Sequence, residues 1–291
     1  MADDPVTDGR QPMFQRMAVR RLRRKAGKSS GDPLREEDWQ AVWDVTHHSG
    51  RHIKRMWLSL PSSPRCGLCS APFAGFGRYV AQPLGYRPSR KNPNFCASCI
   101  EMSPPGGMTM LAGVLFADIR GFTSASENAS PEAMAKLLRR FYGCAESSLF
   151  PEAVIDKLIG DEVMALYLAP LLPNTDVPQL MLRQARELLA SIGYGGKDGP
   201  FIDVGVGLDY GEAFVGNIGD RAVYDFTAIG DVVNTAARLQ GQARSGEILA
   251  SSRVVTDGGT GKRVEVKLKG KRDPEVAYRI SANVPSAPLS P

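Results

Sequence analysis

VIDKLIGDEVMALY, residues Val154–Tyr167, is the stretch of this sequence that decides the fold. Its two short apolar runs, 154–159 and 163–168, flank Gly160-Asp161, and that pair of residue types favours a tight turn between antiparallel strands. The stretch therefore predicts a β-hairpin that carries Lys157 shortly before its turn and Asp161 on the turn.

A second apolar strand candidate, Leu111–Ala117, precedes the hairpin and is followed directly by Asp118. A carboxylate at a strand end, beside a carboxylate on a hairpin turn, is an arrangement that suits a divalent metal. Hard cations prefer oxygen ligands, and Mg²⁺ typically takes one or two carboxylates together with substrate phosphates. Asp118 and Asp161 are therefore the first candidate metal ligands.

The charge of the chain is divided unevenly. Residues 1–100 contain 17 Lys and Arg against 8 Asp and Glu, a net charge of +9, whereas residues 101–291 contain 19 against 23, a net charge of −4. This asymmetry predicts two modules of different character. No apolar run approaches the roughly 20 residues of a membrane span, and the N-terminus lacks a secretory signal pattern. A cytoplasmic protein is expected.

Composition and turn residues predict five segments. Residues 1–33 are expected to be a disordered basic tail, and residues 101–108, which contain Pro-Pro-Gly-Gly, a linker. Between them, residues 34–100 hold a helical segment and a cysteine module. Residues 109–282 form the main domain, and residues 283–291 a disordered tail. A basic tail could bind nucleic acid or anionic lipid, but a solvated tail is the simpler interpretation, and no nucleic-acid partner is expected.

Four of the five cysteines form two CxxC pairs, Cys66/Cys69 and Cys96/Cys99. Paired CxxC sequences place four thiolates for tetrahedral coordination, and zinc is the usual occupant. An iron–sulfur cluster, disulfides and free thiols are the alternatives, although a cytosolic setting disfavours disulfides. The sequence therefore predicts a small zinc-ribbon-like module.

Apolar periodicity predicts that strands and helices are mixed throughout the main domain. No GxxxxGK[ST] or GxGxxG motif is present, so P-loop and Rossmann nucleotide binding are unsupported. The predicted helices span 131–148, 176–192 and 231–240. The predicted strands span about 109–118, 153–159, 162–168, 201–208, 212–219, 223–229, 246–250, 263–268 and 275–280.

Two further stretches carry candidate binding groups. A glycine turn after Asp118 leads into a helix start at Phe122 and Thr123, where backbone N–H groups favour an anion. In DVVNTAARLQ, residues 231–240, Asn234 and Arg238 are four residues apart and share one face of the predicted helix. An amide and a guanidinium on one face can hold a sugar and a phosphoryl group.

Four motifs together resemble the class III nucleotidyl cyclase catalytic domain. They are FADIRGFTS (116–124), DKLIGDEVMA (156–165), GEAFVGNIG (211–219) and YDFTAIGDVVNTAARL (224–239). The resemblance covers about residues 108–281 in the order of that family. It implies an α+β, ferredoxin-like βαββαβ-type domain, with helices flanking an antiparallel-rich sheet.

The resemblance also implies a role for each matching residue. Two Mg²⁺ or Mn²⁺ ions would be bound by Asp118, Asp161 and the backbone carbonyl of Ile119. Asn234 would orient the ribose and Arg238 would stabilise the transition state. The amides of Phe122 and Thr123 and the side chain of Lys269 would bind the phosphates. Lys157 and Thr227 would contact the purine.

The implied activity is conversion of ATP to cyclic AMP and pyrophosphate in signal transduction. Lys157 can only donate, which suits adenine N1, and Thr227 can accept from adenine N6. Guanylyl enzymes of the family usually have an acid at the lysine position. A guanylate cyclase, or a zinc-ribbon regulator that uses the cyclase fold as a scaffold for nucleic acid or a protein partner, is the alternative.

The resemblance further implies a homodimer. In this family the metal carboxylates of one subunit meet the purine, ribose and transition-state residues of the other. One chain that carries both sets is expected to form a two-fold dimer with two composite sites.

Overall fold

The computed structural model describes Arg24, Gly27 and residues 55–67, 69–99, 106–220, 223–255 and 261–282. The predicted C-terminal tail, most of the predicted basic tail and residues 34–54 of the predicted helical segment lie outside the described residues, as do residues 101–105 of the predicted linker. None of the helices in the described ranges combines the length and the hydrophobicity that crossing a bilayer requires.

In the part of the chain that the structure describes, five α-helices, one short 3₁₀ helix (Ala169–Leu171) and eight strands have defined bounds. The helices are α1 (Gly75–Ala81), α2 (Phe122–Asn128), α3 (Pro131–Leu149), α4 (Val177–Ile192) and α5 (Asp231–Gln242). The strands are β1 (Gly106–Ile119), β2 (Val154–Ile159), β3 (Glu162–Leu168), β4 (Val204–Asp220), β5 (Val223–Ile229), β6 (Glu247–Ser251), β7 (Lys262–Val266) and β8 (Glu275–Ser281).

The chain divides into two compact units. The first comprises Met1–Thr109 together with Phe214–Ala228, and the second comprises Met110–Ala213 and Ile229–Pro291. The first unit therefore contains the cysteine segment, the end of β4 and nearly all of β5. The second contains the hairpin of β2 and β3, the four helices α2 to α5, and strand β6.

The sheet is mixed and mostly antiparallel. Its strand order is β2-β3-β1-β4-β6-β8-β7, with β5 paired to β4. The pairs β1–β3, β2–β3, β6–β8 and β7–β8 are antiparallel, whereas β4–β6 is parallel. Helices pack against this sheet, so the predicted α+β architecture is confirmed.

The hairpin predicted from the opening stretch is present as β2 and β3. Gly160 at its turn has a φ of 60°, a left-handed conformation that glycine adopts without steric cost. On the other side of β3, the β1–β3 register places Asp118 opposite Glu162. The end of β1 and the hairpin turn therefore lie beside each other.

Helices α3 and α4 build the core of the second unit. Each has a residue at its N-cap whose side chain accepts a backbone N–H, Ser130 for α3 and Asp176 for α4, and each has proline in its first turn. Their apolar faces pack with the sheet into a common core whose largest fully buried members include Leu115, Phe141 and Tyr167.

Helix α5 lies close to β4. A Cβ built on Gly207 would be 2.2 Å from the backbone nitrogen of Gln240, so only glycine permits this approach. The prediction of separate strands at 201–208 and 212–219 is wrong, because β4 is continuous over Val204–Asp220. Gly211 lies inside this strand, because glycine can remain in an extended conformation.

The cysteine segment is tied together by short bridges rather than by long strands. Isolated antiparallel bridges pair Arg65 with Pro72 and Pro88 with Cys96. Trp57 is fully buried and stacks edge-on against Tyr86, with ring centroids 5.2 Å apart. Helix α1 within this segment was not predicted, because its sequence GFGRYVA contains two glycines and no side-chain cap.

Candidate active site

Asp118 and Asp161 are brought together by the backbone. Asp118 lies one residue before the end of β1, and the next residue, Ile119, donates its N–H to the carbonyl oxygen of Asp161 at 3.2 Å. Burial and the negative charge of Asp161 raise the pKa of Asp118. Burial and these two carboxylates likewise raise the pKa of Glu162. Several acidic groups therefore share one small region with incompletely compensated charge.

Arg120 partly compensates this charge. Its Nη1 lies 3.5 Å from Asp118 Oδ2, and its Nη2 donates to the backbone carbonyl of Gln240 at the end of α5. The Gln240 side chain and Arg120 both lower the pKa of Asp118, but the raising effects of burial and Asp161 are larger. The oxygen donor set and its unrelieved repulsion fit a hard divalent cation.

Tyr142 on α3 fixes the hairpin turn. Its hydroxyl donates to the backbone carbonyl of Gly160. Burial and the nearby charge of Asp161 raise the pKa of Tyr142. Sequence reasoning missed this residue, because a tyrosine in an amphipathic helix carries no signal for a contact with a turn 18 residues away.

The turn after Asp118 begins a helix, as predicted. Gly121 is left-handed, with a φ of 71°, and is the N-cap of α2. No side chain caps the first N–H groups of this helix. Phe122 packs against the core, whereas Thr123 is exposed.

Asn234 and Arg238 lie on α5, as predicted. Asn234 is exposed and Arg238 is half-buried. A Cβ built on Gly270 would be 3.5 Å from Arg238 Nη2, so the guanidinium lies against the turn that carries exposed Lys269. The structure therefore brings Arg238 and the backbone next to Lys269 together.

Lys271 fastens this turn to α5. Its Nζ lies 3.0 Å from Asp231 Oδ2 in the first turn of α5 and 2.8 Å from Glu275 Oε2 on β8. These carboxylates raise the pKa of Lys271 despite its partial burial. Sequence reasoning missed Lys271, because its partner Asp231 is 40 residues away.

The two residues predicted to contact the purine lie in different units. Lys157 is half-buried on β2, next to a register shift in the β2–β3 ladder, and its Nζ is 3.8 Å from Asp156 Oδ2. Thr227 is buried on β5 of the first unit.

A charged pair that the sequence did not reveal lies in the second unit, near the start of α5. Asp209 on β4 is fully buried and accepts from Arg253 Nε at 2.9 Å and from Ser251 Oγ at 2.5 Å. Arg253 Nη2 also contacts Asp209, and it lies 3.9 Å from Asp231 Oδ2. The pair therefore links β4 to the start of α5.

Arg253→Met is expected to lower the free energy of unfolding by about 2–4 kcal/mol, because it leaves the buried Asp209 carboxylate without its cation. Urea unfolding followed by circular dichroism measures the loss. Adding Asp209→Asn to Arg253→Met removes the orphaned charge and is expected to recover part of it. Equal stability of Arg253→Met and the wild type would show that the pair is unimportant for the fold.

The four cysteines predicted to bind a metal converge in the first unit. All four sulfur atoms lie within 4.8 Å of one another, and all four thiols are free. The Cys66–Cys99 and Cys69–Cys96 sulfur separations are 4.0 and 3.6 Å, whereas a disulfide bond requires about 2.05 Å. A tetrahedron with metal–sulfur bonds of about 2.3 Å has edges of about 3.8 Å. The geometry therefore fits one tetrahedral ion.

The thiols perturb one another's ionisation. Hydrogen bonds from the other three cysteines lower the pKa of Cys66 well below its ordinary value. The same hydrogen-bonding network, with burial, raises the pKa of Cys96 and of Cys99. The thiolate of Cys66 is thus stabilised, whereas ionisation of Cys96 and Cys99 is opposed. A bound cation would favour the ionised form of all of them.

The comparison with known proteins identifies the second unit and part of the first. The family model described as the adenylate and guanylate cyclase catalytic domain matches residues 109–282. An adenylate cyclase of Anabaena cylindrica is 31% identical over 185 residues, which cover 58% of this chain and 36% of that protein. An uncharacterised protein of Mycobacterium tuberculosis is 30% identical over 181 residues, 61% of this chain and 31% of its own length. The chain thus spans about a third of the length of these relatives.

Solved structures give the same result. The guanylyl cyclase Cya2 is 28% identical, with a TM-score of 0.53, and the similarity covers 60% of this chain and 93% of that one. The adenylyl cyclase CyaB from P. aeruginosa is 27% identical, with a TM-score of 0.52, over 62% of this chain and 96% of that one. Because the family model covers more than half of the sequence, the chain belongs to the adenylate and guanylate cyclase catalytic domain family.

Proposed function

We propose that this protein is an adenylate cyclase, which converts ATP into 3′,5′-cyclic AMP and pyrophosphate. The observation that carries the proposal is the meeting of Asp118 and Asp161 where β1 ends beside the hairpin turn. The adenylate cyclase of Anabaena cylindrica among the relatives supports it. A role in intracellular signal transduction and a cytoplasmic location stay predictions.

Asp118, Asp161 and the carbonyl of Ile119 would hold two Mg²⁺ or Mn²⁺ ions. When bound, these ions supply positive charge that acidifies the ribose 3′-hydroxyl and neutralises the leaving pyrophosphate. Tyr142 and the Ile119 amide hold the two carboxylates in place through the backbone. Among the described residues of the second unit there is no histidine to act as a base, and a hydroxyl acidified by a bound ion would release its proton to water.

The chain's own residues bind and orient the rest of ATP. In this proposal, the guanidinium of Arg238 meets the charge that develops on the α-phosphoryl oxygens as the 3′-oxygen attacks in line. Asn234 holds the ribose so that this oxygen faces the phosphorus. Lys269 and the amides of Phe122 and Thr123 bind the phosphates that leave as pyrophosphate.

The choice of ATP depends on Lys157 and Thr227. A lysine donates but cannot accept, so it pairs with adenine N1 and not with the N1–H of guanine. Guanylate cyclase activity is the second candidate, because a guanylyl cyclase is among the similar structures. The proposed active form is a homodimer in which each site takes its carboxylates from one subunit and Lys157, Thr227, Asn234 and Arg238 from the other.

The four-cysteine cluster is proposed to bind one Zn²⁺. Its sulfur separations support a tetrahedral ion, and an iron–sulfur cluster is the alternative. Elemental analysis of the purified protein distinguishes them, because a cluster would bring iron and visible absorbance.

The test of the activity is incubation of the purified protein with ATP or GTP and Mg²⁺ or Mn²⁺, followed by chromatography of the products. We expect cyclic AMP and pyrophosphate in equal amounts, and a kcat/KM at least about 10-fold higher for ATP than for GTP. A higher kcat/KM for GTP would make the protein a guanylate cyclase, and absence of both cyclic products would refute the proposal.

A further inference from the structure

Lys91 joins the cysteine segment to β5 inside the first unit. Its Nζ lies 2.8 Å from Asp225 Oδ1 and donates to the backbone carbonyl of Phe226 at 2.5 Å. The Lys91 side chain is only 14% exposed. A largely buried ammonium that contacts both a carboxylate and a carbonyl is held in a defined place, because each contact is charge-assisted.

The carbonyl that Lys91 binds is adjacent to the candidate purine contact. The carbonyl of Phe226 and the N–H of Thr227 belong to one planar peptide group. Fixing that carbonyl therefore fixes the backbone that enters Thr227, whose side chain is buried. A hydrogen-bonding residue discriminates between purines only if its position is held to a fraction of an ångström.

Lys91 is in turn held by the segment that carries the thiols. It lies in the loop between Pro88 and Cys96, two residues that pair in an antiparallel bridge. The N–H of Ser89 donates to the carbonyl of Phe95 at 2.8 Å, and the hydroxyl of Ser89 accepts the N–H of Lys91 at 3.0 Å. The position of Lys91 therefore depends on the position of Cys96.

Cys96 is anchored to the rest of the thiol cluster. Its backbone N–H donates to Cys66 Sγ at 3.2 Å, and its own sulfur is 3.6 Å from that of Cys69. A bound ion would hold four sulfur atoms from two distant CxxC pairs around one point. It would therefore fix the position of Cys96, where the loop that carries Lys91 ends. Small segments of this kind gain much of their folding free energy from the metal.

We propose that the four-cysteine module is a positioning element for the nucleotide base, with Lys91 as the residue that transmits metal occupancy to Thr227. This inference rests on the proposed adenylate cyclase function. Lys91 is a positioning residue, since it acts through the Phe226–Thr227 peptide. Its loss should affect the binding and choice of the purine more than the chemical step.

The first experiment compares three variants of the full chain with the wild type. Lys91→Met is expected to raise the KM for ATP about 10-fold and to reduce the ATP-to-GTP ratio of kcat/KM by a similar factor, with kcat changed less than about threefold. Lys91→Arg keeps the positive charge, so its KM for ATP and its ATP-to-GTP ratio of kcat/KM are expected to lie much closer to those of the wild type. The control is Arg78→Met, which removes an exposed positive charge on α1 of the same module. Its KM and purine ratio should equal those of the wild type.

The second experiment measures the coupling without activity. Hydrogen exchange of the β5 amides 225–229 is followed in the wild type, in the wild type treated with a zinc chelator, and in Lys91→Met. We expect exchange about 10-fold faster in both altered samples, while elemental analysis shows the same metal content in Lys91→Met as in the wild type. Faster exchange with the metal retained separates lost coupling from loss of the module.

The results that overturn the inference differ from those that overturn the function. Wild-type protein that makes cyclic AMP, together with a Lys91→Met variant of unchanged KM, purine ratio and β5 exchange, refutes the positioning role alone. Loss of metal in Lys91→Met also refutes it, since Lys91 would then only stabilise the module. A wild type that makes no cyclic nucleotide refutes the proposed function and this inference with it.

Discussion

Arg238→Ala is expected to reduce kcat for cyclic AMP formation by about 10³–10⁵-fold, the range that an arginine contributes when it meets charge developing on a transferring phosphoryl group. The guanidinium is half-buried and lies beside Gly270. Because the proposed contact strengthens only in the transition state, KM for ATP should change far less than kcat.

The control for this variant is Arg244→Ala, which removes an exposed arginine shortly after the end of α5. Steady-state rates should stay within about twofold of the wild type, as for surface substitutions in general. If Arg238→Ala retained more than a tenth of wild-type kcat, the transition-state role assigned to Arg238 would be wrong.

Asp118→Asn is expected to reduce activity by more than about 100-fold, because even residues that only orient a metal ligand cost 10–100-fold when they are replaced. The same variant should unfold at a higher temperature than the wild type in the presence of EDTA. Burial and Asp161 raise the pKa of Asp118, so the ionised carboxylate at neutral pH destabilises the metal-free fold, and asparagine removes that charge.

Asp198→Asn, on an exposed loop, is the matched control, and neither its rate nor its unfolding temperature should change appreciably. Calorimetry with and without Mn²⁺ checks the second half of the prediction. The added metal should stabilise the wild type and have little effect on Asp118→Asn. An inactive Asp118→Asn protein that Mn²⁺ stabilises as much as the wild type would place the metal elsewhere.

Much of the fold could be predicted because its signals are local. The β2–β3 hairpin follows from two apolar runs around a glycine that adopts a positive φ, and the start of α5 at Asp231 agrees with the prediction. The candidate metal carboxylates were predicted from their positions at a strand end and on a hairpin turn, whereas their proximity depends on the antiparallel pairing of β1 with β3, which chain order does not determine.

What escaped prediction depends on contacts between distant residues. Asp209 and Arg253 are 44 residues apart, and Lys91 and Phe226 are 135 apart, so no periodicity or spacing reveals either pair. Two segments that contain glycine also differ from the prediction. Two strands were predicted at 201–208 and 212–219 where β4 is continuous, and α1, which contains two glycines, was not predicted.

The most direct test of the composite site is to mix the Asp118→Asn and Arg238→Ala proteins under conditions that allow subunits to exchange. Each variant alone spoils both sites of its own dimer, but half of the dimers in an equal mixture are mixed, and each mixed dimer has one site with no altered residue. The mixture is therefore expected to recover about a quarter of wild-type activity. If native mass spectrometry shows mixed dimers and the rate stays at the mean of the two variants, the two sets of residues do not meet across a dimer interface.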